Sequence, residues 1–303
     1  MPRIAAYDDV KAGRTRREIP GGYAWRTEFM MPPKDNFTQP HAYLAERSSG
    51  NVLRTHYHVI DQFQIIVSGG GVMGKHKLAI PAVHFSRAYT PYGPLIPNKD
   101  DVGFITLRPR RDTGASFLPE ANEKLKNTPG RKPWQATELP VFGGAADVAV
   151  QPFSRIQADD GLAAFALTLK PGASTTAPSP AGTNGQFLIV TKGCLVHDGK
   201  HHKALTIVQV NADEAPFNLQ AGADGMELLA LNFPRESARP TIANVPLVSS
   251  KSGARVWQCQ LCAFVYDEAL GMPTDGLPPG TRWEDVPADW VCPDCATGKS
   301  EFS

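Results

Sequence analysis

Short apolar runs, each closed by a turn, dominate the chain. QFQIIVSG (62–69), VGFITLRP (102–109), AAFALTLKPG (163–172), GQFLIVTKG (185–193) and GMELLALNFP (225–234) are rich in Val, Ile, Leu, Phe and Thr. Runs of this length, bounded by Gly, Pro or charged residues, predict strands. Long amphipathic helical patterns are scarce. LPEANEKLKN, residues 118–127, is the best helical candidate and reads as a solvated connecting helix. The pattern therefore predicts a mainly β protein of sandwich or barrel form.

Composition narrows this picture. A chain of 303 residues suits two or three domains. The net charge of +1 and the lack of a basic block argue against a nucleic-acid partner. No apolar run reaches the length of a membrane span, and MPRIAAYDDVKAGRTRREIP lacks the apolar centre of a signal peptide. A cytoplasmic protein without a membrane partner is expected. In that compartment paired cysteines are metal ligands or redox groups more often than disulfides.

Four of the five cysteines form two CxxC pairs near the C-terminus, Cys259 with Cys262 and Cys292 with Cys295. Two such turns facing each other make a tetrahedral sulfur site. A module of about fifty residues cannot hold itself together by apolar burial alone, and a metal supplies the rest. The thiolate pattern by itself also fits a zinc ribbon. The intervening residues carry Phe264, Tyr266 and Trp283, with Trp257 before the first pair and Trp290 ahead of the second. WQCQLCAFVYDE, GLPPGTRWEDVPADWVCPDC and the final Lys299 and Phe302 closely resemble rubredoxin over residues 254–303. The resemblance implies one iron held by Cys259, Cys262, Cys292 and Cys295, cycling between ferric and ferrous states. With all four positions filled by protein, such a site carries electrons and binds no substrate. Ala263 and Ala296 stand where the family usually has glycine after each CxxC.

A second constellation lies in GNVLRTHYHVIDQFQIIVSG, residues 50–69. Alternation along a strand puts His56, His58, Gln62 and Gln64 on one face and Tyr57, Val59 and Phe63 on the other. Two inward imidazoles suit a divalent metal, or serve as structural polar residues satisfied by hydrogen bonds. The spacing Gly50, His56, His58, Gln62, Gly69 resembles the first cupin motif, with Gln62 in the place of a glutamate. In TPYGPLIPN, residues 90–98, Pro91 and Gly93 fit the second cupin motif, but its histidine position is Ile96. His84 is the candidate third ligand, and His76, in a charged KHK setting, a weaker one. Tyr92 is expected at the barrel mouth, in contact with substrate.

Residues 185–193 repeat the rhythm from Gln186 to Gly193, but Pro178 and Pro180 fall where His-x-His would be. The fold expected is two cupin-type β-barrels in tandem followed by a small rubredoxin-like iron–sulfur domain. The divisions are 1–135 for the barrel with His-x-His, 136–235 for a ligand-poor barrel, 236–253 for a polar linker and 254–303 for rubredoxin. His197, His201 and His202 read as an exposed hairpin tip, and Cys194 as a small buried residue.

Many cupin iron enzymes need no outside electrons, so the fused carrier points to chemistry that does. The resemblance implies ferrous iron, or another divalent metal, at His56 and His58. There it would activate O₂ to hydroxylate or desaturate a small organic substrate, with electrons from a reductase using reduced nicotinamide. Gln62, Gln64 and Tyr92 would orient oxygen or substrate. The alternative is a non-catalytic ligand-binding or docking module whose rubredoxin serves a separate enzyme. A redox sensor is a third reading, and a homodimer is a reasonable assembly.

Overall fold

The computed structural model describes residues 1–236 and 254–303, so the expected linker, Glu236 apart, lies outside the described residues. In the N-terminal part, alternation along each strand decides the layering. The strand Gln62–Ser68 sits in a seven-stranded sheet between Ala82–Ser86 and Val102–Arg108. The sheet continues through His41–Arg47 and Gly22–Met30 to Thr15–Ile19, and ends on its other side at Gln135–Glu138. Phe63 and Ile65 point out of one face, Gln62, Gln64 and Ile66 out of the other.

The Phe63 face packs on a second large sheet. That sheet runs Arg3–Ala6, Thr206–Val210, Gln186–His197, Asn218–Asn232, Ala163–Leu169, Val148–Gln157, with two short strands attached. Phe233 fits among Phe63, Phe85 and Phe187, meeting Phe63 edge to face at 5.0 Å between ring centres. The largest apolar core thus lies between the two units rather than inside either. Residues 3–6, expected in the first unit, pair instead with Thr206–Val210 in the second. They cover what would otherwise be an open sheet edge.

The other face of each sheet lines its own unit. Neither large sheet closes on itself. In the first unit the opposing wall is built of short strands: Gly71–Met73 between Leu95–Pro97 and His76–Lys77, and His56–Tyr57 against Ser116–Phe117. Gly69 enters this wall at φ +69°, and a Cβ there would stand 1.7 Å from the Asp101 carbonyl oxygen, so only glycine fits. The second unit is filled by Leu167, Leu188, Val190, Val208, Val210 and Leu228, without ligating side chains.

The helix spans Asn122–Lys126. It is not merely solvated, because Leu118 and Leu125 bury themselves against the C-terminal module. That module pairs Val256–Gln258 with Val265–Asp267 and stacks Trp257 on Trp283 at 5.2 Å. The buried Glu268 accepts hydrogen bonds from the Trp257 indole at 3.1 Å and the Trp283 amide at 3.0 Å.

Phe233→Ala leaves a cavity in the shared core and is expected to cost about 3–5 kcal/mol. Chemical denaturation followed by far-ultraviolet circular dichroism should register the loss. The visible colour of the C-terminal site, which lies in a different core, should keep its native position before the transition.

Candidate functional site

The four cysteine side chains converge. Cys259 Sγ lies 3.8 Å from Cys295 Sγ, Cys262 Sγ lies 3.5 Å from Cys292 Sγ, and all four sulfurs fall within 4.8 Å of one another. A tetrahedral ion with metal–sulfur bonds of about 2.3 Å needs sulfurs about 3.8 Å apart. The donor set therefore fits a single iron. The turns close with Ala263 N donating to Cys259 O at 2.9 Å and Ala296 N to Cys292 O at 2.8 Å. Both alanines sit in the left-handed region, at φ +65° and +55°.

The two cysteine turns face the first unit. Arg131 donates to the carbonyl oxygens of Leu261, at 2.6 Å, and Gln260. On the other turn, the Lys75 amide donates to Pro293 O at 2.9 Å. Gly74 sits so close that a Cβ would stand 2.1 Å from that same oxygen. Lys75 pairs with Asp275, His76 with Asp294 at 2.8 Å, and Lys126 with Glu301 at 2.9 Å. Every cation in these pairs comes from the first unit and every anion from the module. The module itself carries eight acidic and three basic residues. Between the two bodies lies Tyr57, fully buried, in one apolar cluster with Cys259 and Cys262.

His56 and His58 flank Tyr57 and point the other way, into the first unit. The His56 Nδ1 lies 2.8 Å from the Arg54 carbonyl, and the His58 Nδ1 lies 2.6 Å from Asp112. The Arg108 guanidinium reaches 3.2 Å from both ring nitrogens of His58 and donates to Gln62 Oε1 at 2.9 Å. The Gln62 amide in turn donates to the Tyr92 hydroxyl. Burial holds His56 down at about 3, helped by the neighbouring His58. His58 is lowered too, by burial and by the Arg108 charge, against the pull of Asp112. Burial works to raise Asp112, but its hydrogen bond from His58 and the charges of His58 and Arg108 hold it below the usual range.

The structure thus brings His56, His58, Gln62 and Tyr92 together. Tyr92 is 1% exposed, inside rather than at a mouth, and burial raises its phenol. His84 does not join the pair. Its Nδ1 lies 2.9 Å from Thr137 Oγ1, and the Tyr92 ring lies against both His56, at 4.7 Å, and His84, at 5.2 Å. Gln64 lies one register step further along, opposite His84 and Thr106. Its Oε1, His84 Nε2 and Thr106 Oγ1 are buried without a partner among the described residues. Ile96 is 38% exposed, so its position faces away from the site.

A divalent metal does not fit this donor set. Among the described residues the four cysteines are the one group of three or more His, Cys, Asp or Glu side chains close enough to share an ion. The Arg108 guanidinium lies 3.2 Å from both ring nitrogens of His58, and like charges repel strongly where water is excluded. Sequence reasoning missed Arg108, Asp112 and Arg131, because nothing in their local spacing marks them; Tyr57 was placed on the opposite face, without its partner. In the second unit Gln186 bonds Asn232 at 2.8 Å and the Pro178 carbonyl at 2.8 Å, a structural role. His201 and His202 stand in the expected hairpin; Cys194 there is half-buried, with its Sγ 3.6 Å from His201.

Residues 256–302 match the rubredoxin family model. Rubredoxin-2 of Pseudomonas aeruginosa is 69% identical over 48 residues, which cover 16% of this chain and 87% of that protein. This chain belongs to the rubredoxin family through its C-terminal domain. The fold of the remainder resembles cupin-type structures. A candidate dioxygenase of Nostoc punctiforme superposes with a TM-score of 0.53 at 10% identity, over 80% of this chain and 87% of that one. Oxalate decarboxylase of Bacillus subtilis gives 0.50 at 13% identity, over 76% of each chain. At such identities the likeness is one of fold. The chain thus joins two units of cupin-like fold to a C-terminal rubredoxin domain.

Two outcomes follow from this geometry. Left-handed alanine costs roughly 1–2 kcal/mol relative to an unstrained residue. Ala263→Gly with Ala296→Gly is therefore expected to slow loss of the visible absorption in guanidinium. His56 and His84, both held near 3 by burial, bind fewer protons folded than unfolded between that value and the ordinary 6.5. Stability should therefore fall as pH drops from 6.5 toward 3. His84→Gln should flatten that slope in urea titrations at pH 7 and pH 5.

Proposed function

We propose that this protein delivers single electrons from its rubredoxin iron to a small organic ligand bound in the first cupin barrel. One observation carries the reading. The cysteine turns lie against the outer side of the strand whose inner side bears His56 and His58, with Tyr57 filling the space between. A carrier placed there has a packed route into the barrel through Tyr57.

Inside the barrel, Arg108, Gln62, Tyr92 and the neutral His56 and His58 offer hydrogen bonds to an oxygen-bearing ligand in a site of low dielectric. Arg108 favours an acceptor that gains negative charge when an electron arrives. The reaction class is a direct reduction that draws its electrons from outside; hydroxylation or desaturation by O₂ would need an activating metal, which this donor set does not fit. Each ferrous-to-ferric step supplies one electron, so a two-electron change needs two rounds of reduction. A reductase using reduced nicotinamide is the proposed donor. Ferrous iron at His56 and His58 is not part of this reading, because the Arg108 guanidinium lies 3.2 Å from both ring nitrogens of His58. A second reading, in which the barrel only docks the carrier for a separate enzyme, is favoured by the ligand-free second barrel.

Elemental analysis of the full chain should find about one iron per chain, unchanged in His56→Ala and His58→Ala and lost in Cys262→Ser. A second iron that disappears with either histidine would contradict the direct reading. Anaerobically reduced protein mixed with O₂ separates the other two. Electron exit through the barrel predicts reoxidation slowed by roughly tenfold in His58→Ala, the size expected when one contact to the acceptor is lost. An unchanged rate favours the docking reading.

A further inference from the structure

Arg131 joins the two bodies. It belongs to the cupin part, is 8% exposed, and directs its guanidinium at the first cysteine turn. Its hydrogen-bond acceptors there are neutral carbonyl oxygens. Burial lowers its pKa, and the neighbouring Cys259 and Cys262 sulfurs, then the Tyr57 phenol, oppose that shift. A buried guanidinium that stays protonated requires compensation. Here the compensating charge is the iron–thiolate site. Of the charged residues lining the same cleft, Arg87 pairs with Asp160 at 2.7 Å, Arg110 with Glu236 at 2.8 Å, and Asp61 accepts the Ala88 amide at 2.7 Å.

The charge of that site changes with oxidation state. Four thiolates around ferric iron carry a single net negative charge, and reduction adds a second. Burial alone favours the ferric, less charged form. A fixed cation alongside favours the ferrous form, and net charge and hydrogen bonding around the sulfurs are the levers that set such potentials. Binding linkage makes the effect reciprocal. Whatever docking does to the potential, reduction does to docking.

We propose that Arg131 makes docking of the rubredoxin on the first barrel redox-linked, with the ferrous domain held more tightly than the ferric. One electron enters per cycle, converting ferric to ferrous iron, and no bond to iron forms or breaks. The oxidised domain leaves the barrel more readily and exposes its cysteine turns to a donor. The reduced domain returns to the face behind His56 and His58. The inference rests on the docked geometry and on the iron site, not on which ligand the barrel binds.

The test is a redox titration of the full chain followed by visible absorption, beside hydrogen exchange of the segment around Lys75, whose amide donates to Pro293 O. Arg131→Gln is expected to lower the midpoint potential by about 59 mV or more, a tenfold loss of preference for the ferrous state. Arg131→Lys keeps the charge and should recover most of that shift. In the unaltered protein, exchange around Lys75 should be about tenfold slower in the dithionite-reduced than in the ferric state, the same factor read from the docking side. A potential that fails to fall in an Arg131→Gln protein with a normal ferric spectrum overturns the proposal. So does equal exchange in the two oxidation states of the unaltered protein, a readout that holds even if Arg131→Gln does not load iron.

Discussion

Alternation along one short strand organises the molecule. In His56-Tyr57-His58, successive side chains must point to opposite sides. The two imidazoles enter the first barrel and the phenol leaves it, so three consecutive residues touch both the barrel interior and the iron–thiolate domain. Moving this strand by one residue would put Tyr57 inside and a histidine against the cysteine turns. The register is held by Ser116 and Phe117 on one side and by the backbone exchange between His56 and Tyr92 on the other.

Charge does the complementary work. The cupin part presents Lys75, His76, Lys126 and Arg131, and the small domain presents Asp275, Asp294, Glu301 and its thiolates. Exposed ion pairs are individually weak and screened by salt. Their shared sign pattern orients the two bodies, while Tyr57, Leu118 and Leu125 supply the apolar burial. Inside the first unit charge is paired as well. Arg108 brings the positive charge, Asp112 balances it, and burial lowers the pKa of both histidines.

The iron site was legible because its signal is local: two CxxC turns with aromatic residues at fixed offsets. Strand positions were legible for a similar reason, since period-two apolar runs such as QFQIIVSG and VGFITLRP survive folding as Gln62–Ser68 and Val102–Arg108. Alternation along one strand predicts that His56, His58 and Gln62 face together; they meet instead because the chain bends between His56–Tyr57 and Gln62–Ser68, strands of different sheets. What could not be read was which distant residues meet them. Arg108 lies 46 positions from the Gln62 it bonds, and Arg131 lies 130 from Leu261. His84 does face inward, but whether it reaches the pair depends on the Tyr92 ring, which no spacing reveals. His76 looked like a solvated charge; its partner, Asp294, is 218 residues away.

The central claim is that the rubredoxin domain docks on the first barrel through its cysteine turns. Zero-length carbodiimide cross-linking of dilute protein, followed by peptide mass spectrometry, tests it most directly. The account predicts intramolecular Lys75–Asp275 and Lys126–Glu301 links in yields independent of protein concentration. Formation of Lys170–Asp147, a pair within the second barrel 3.0 Å apart, without either interface link would contradict it.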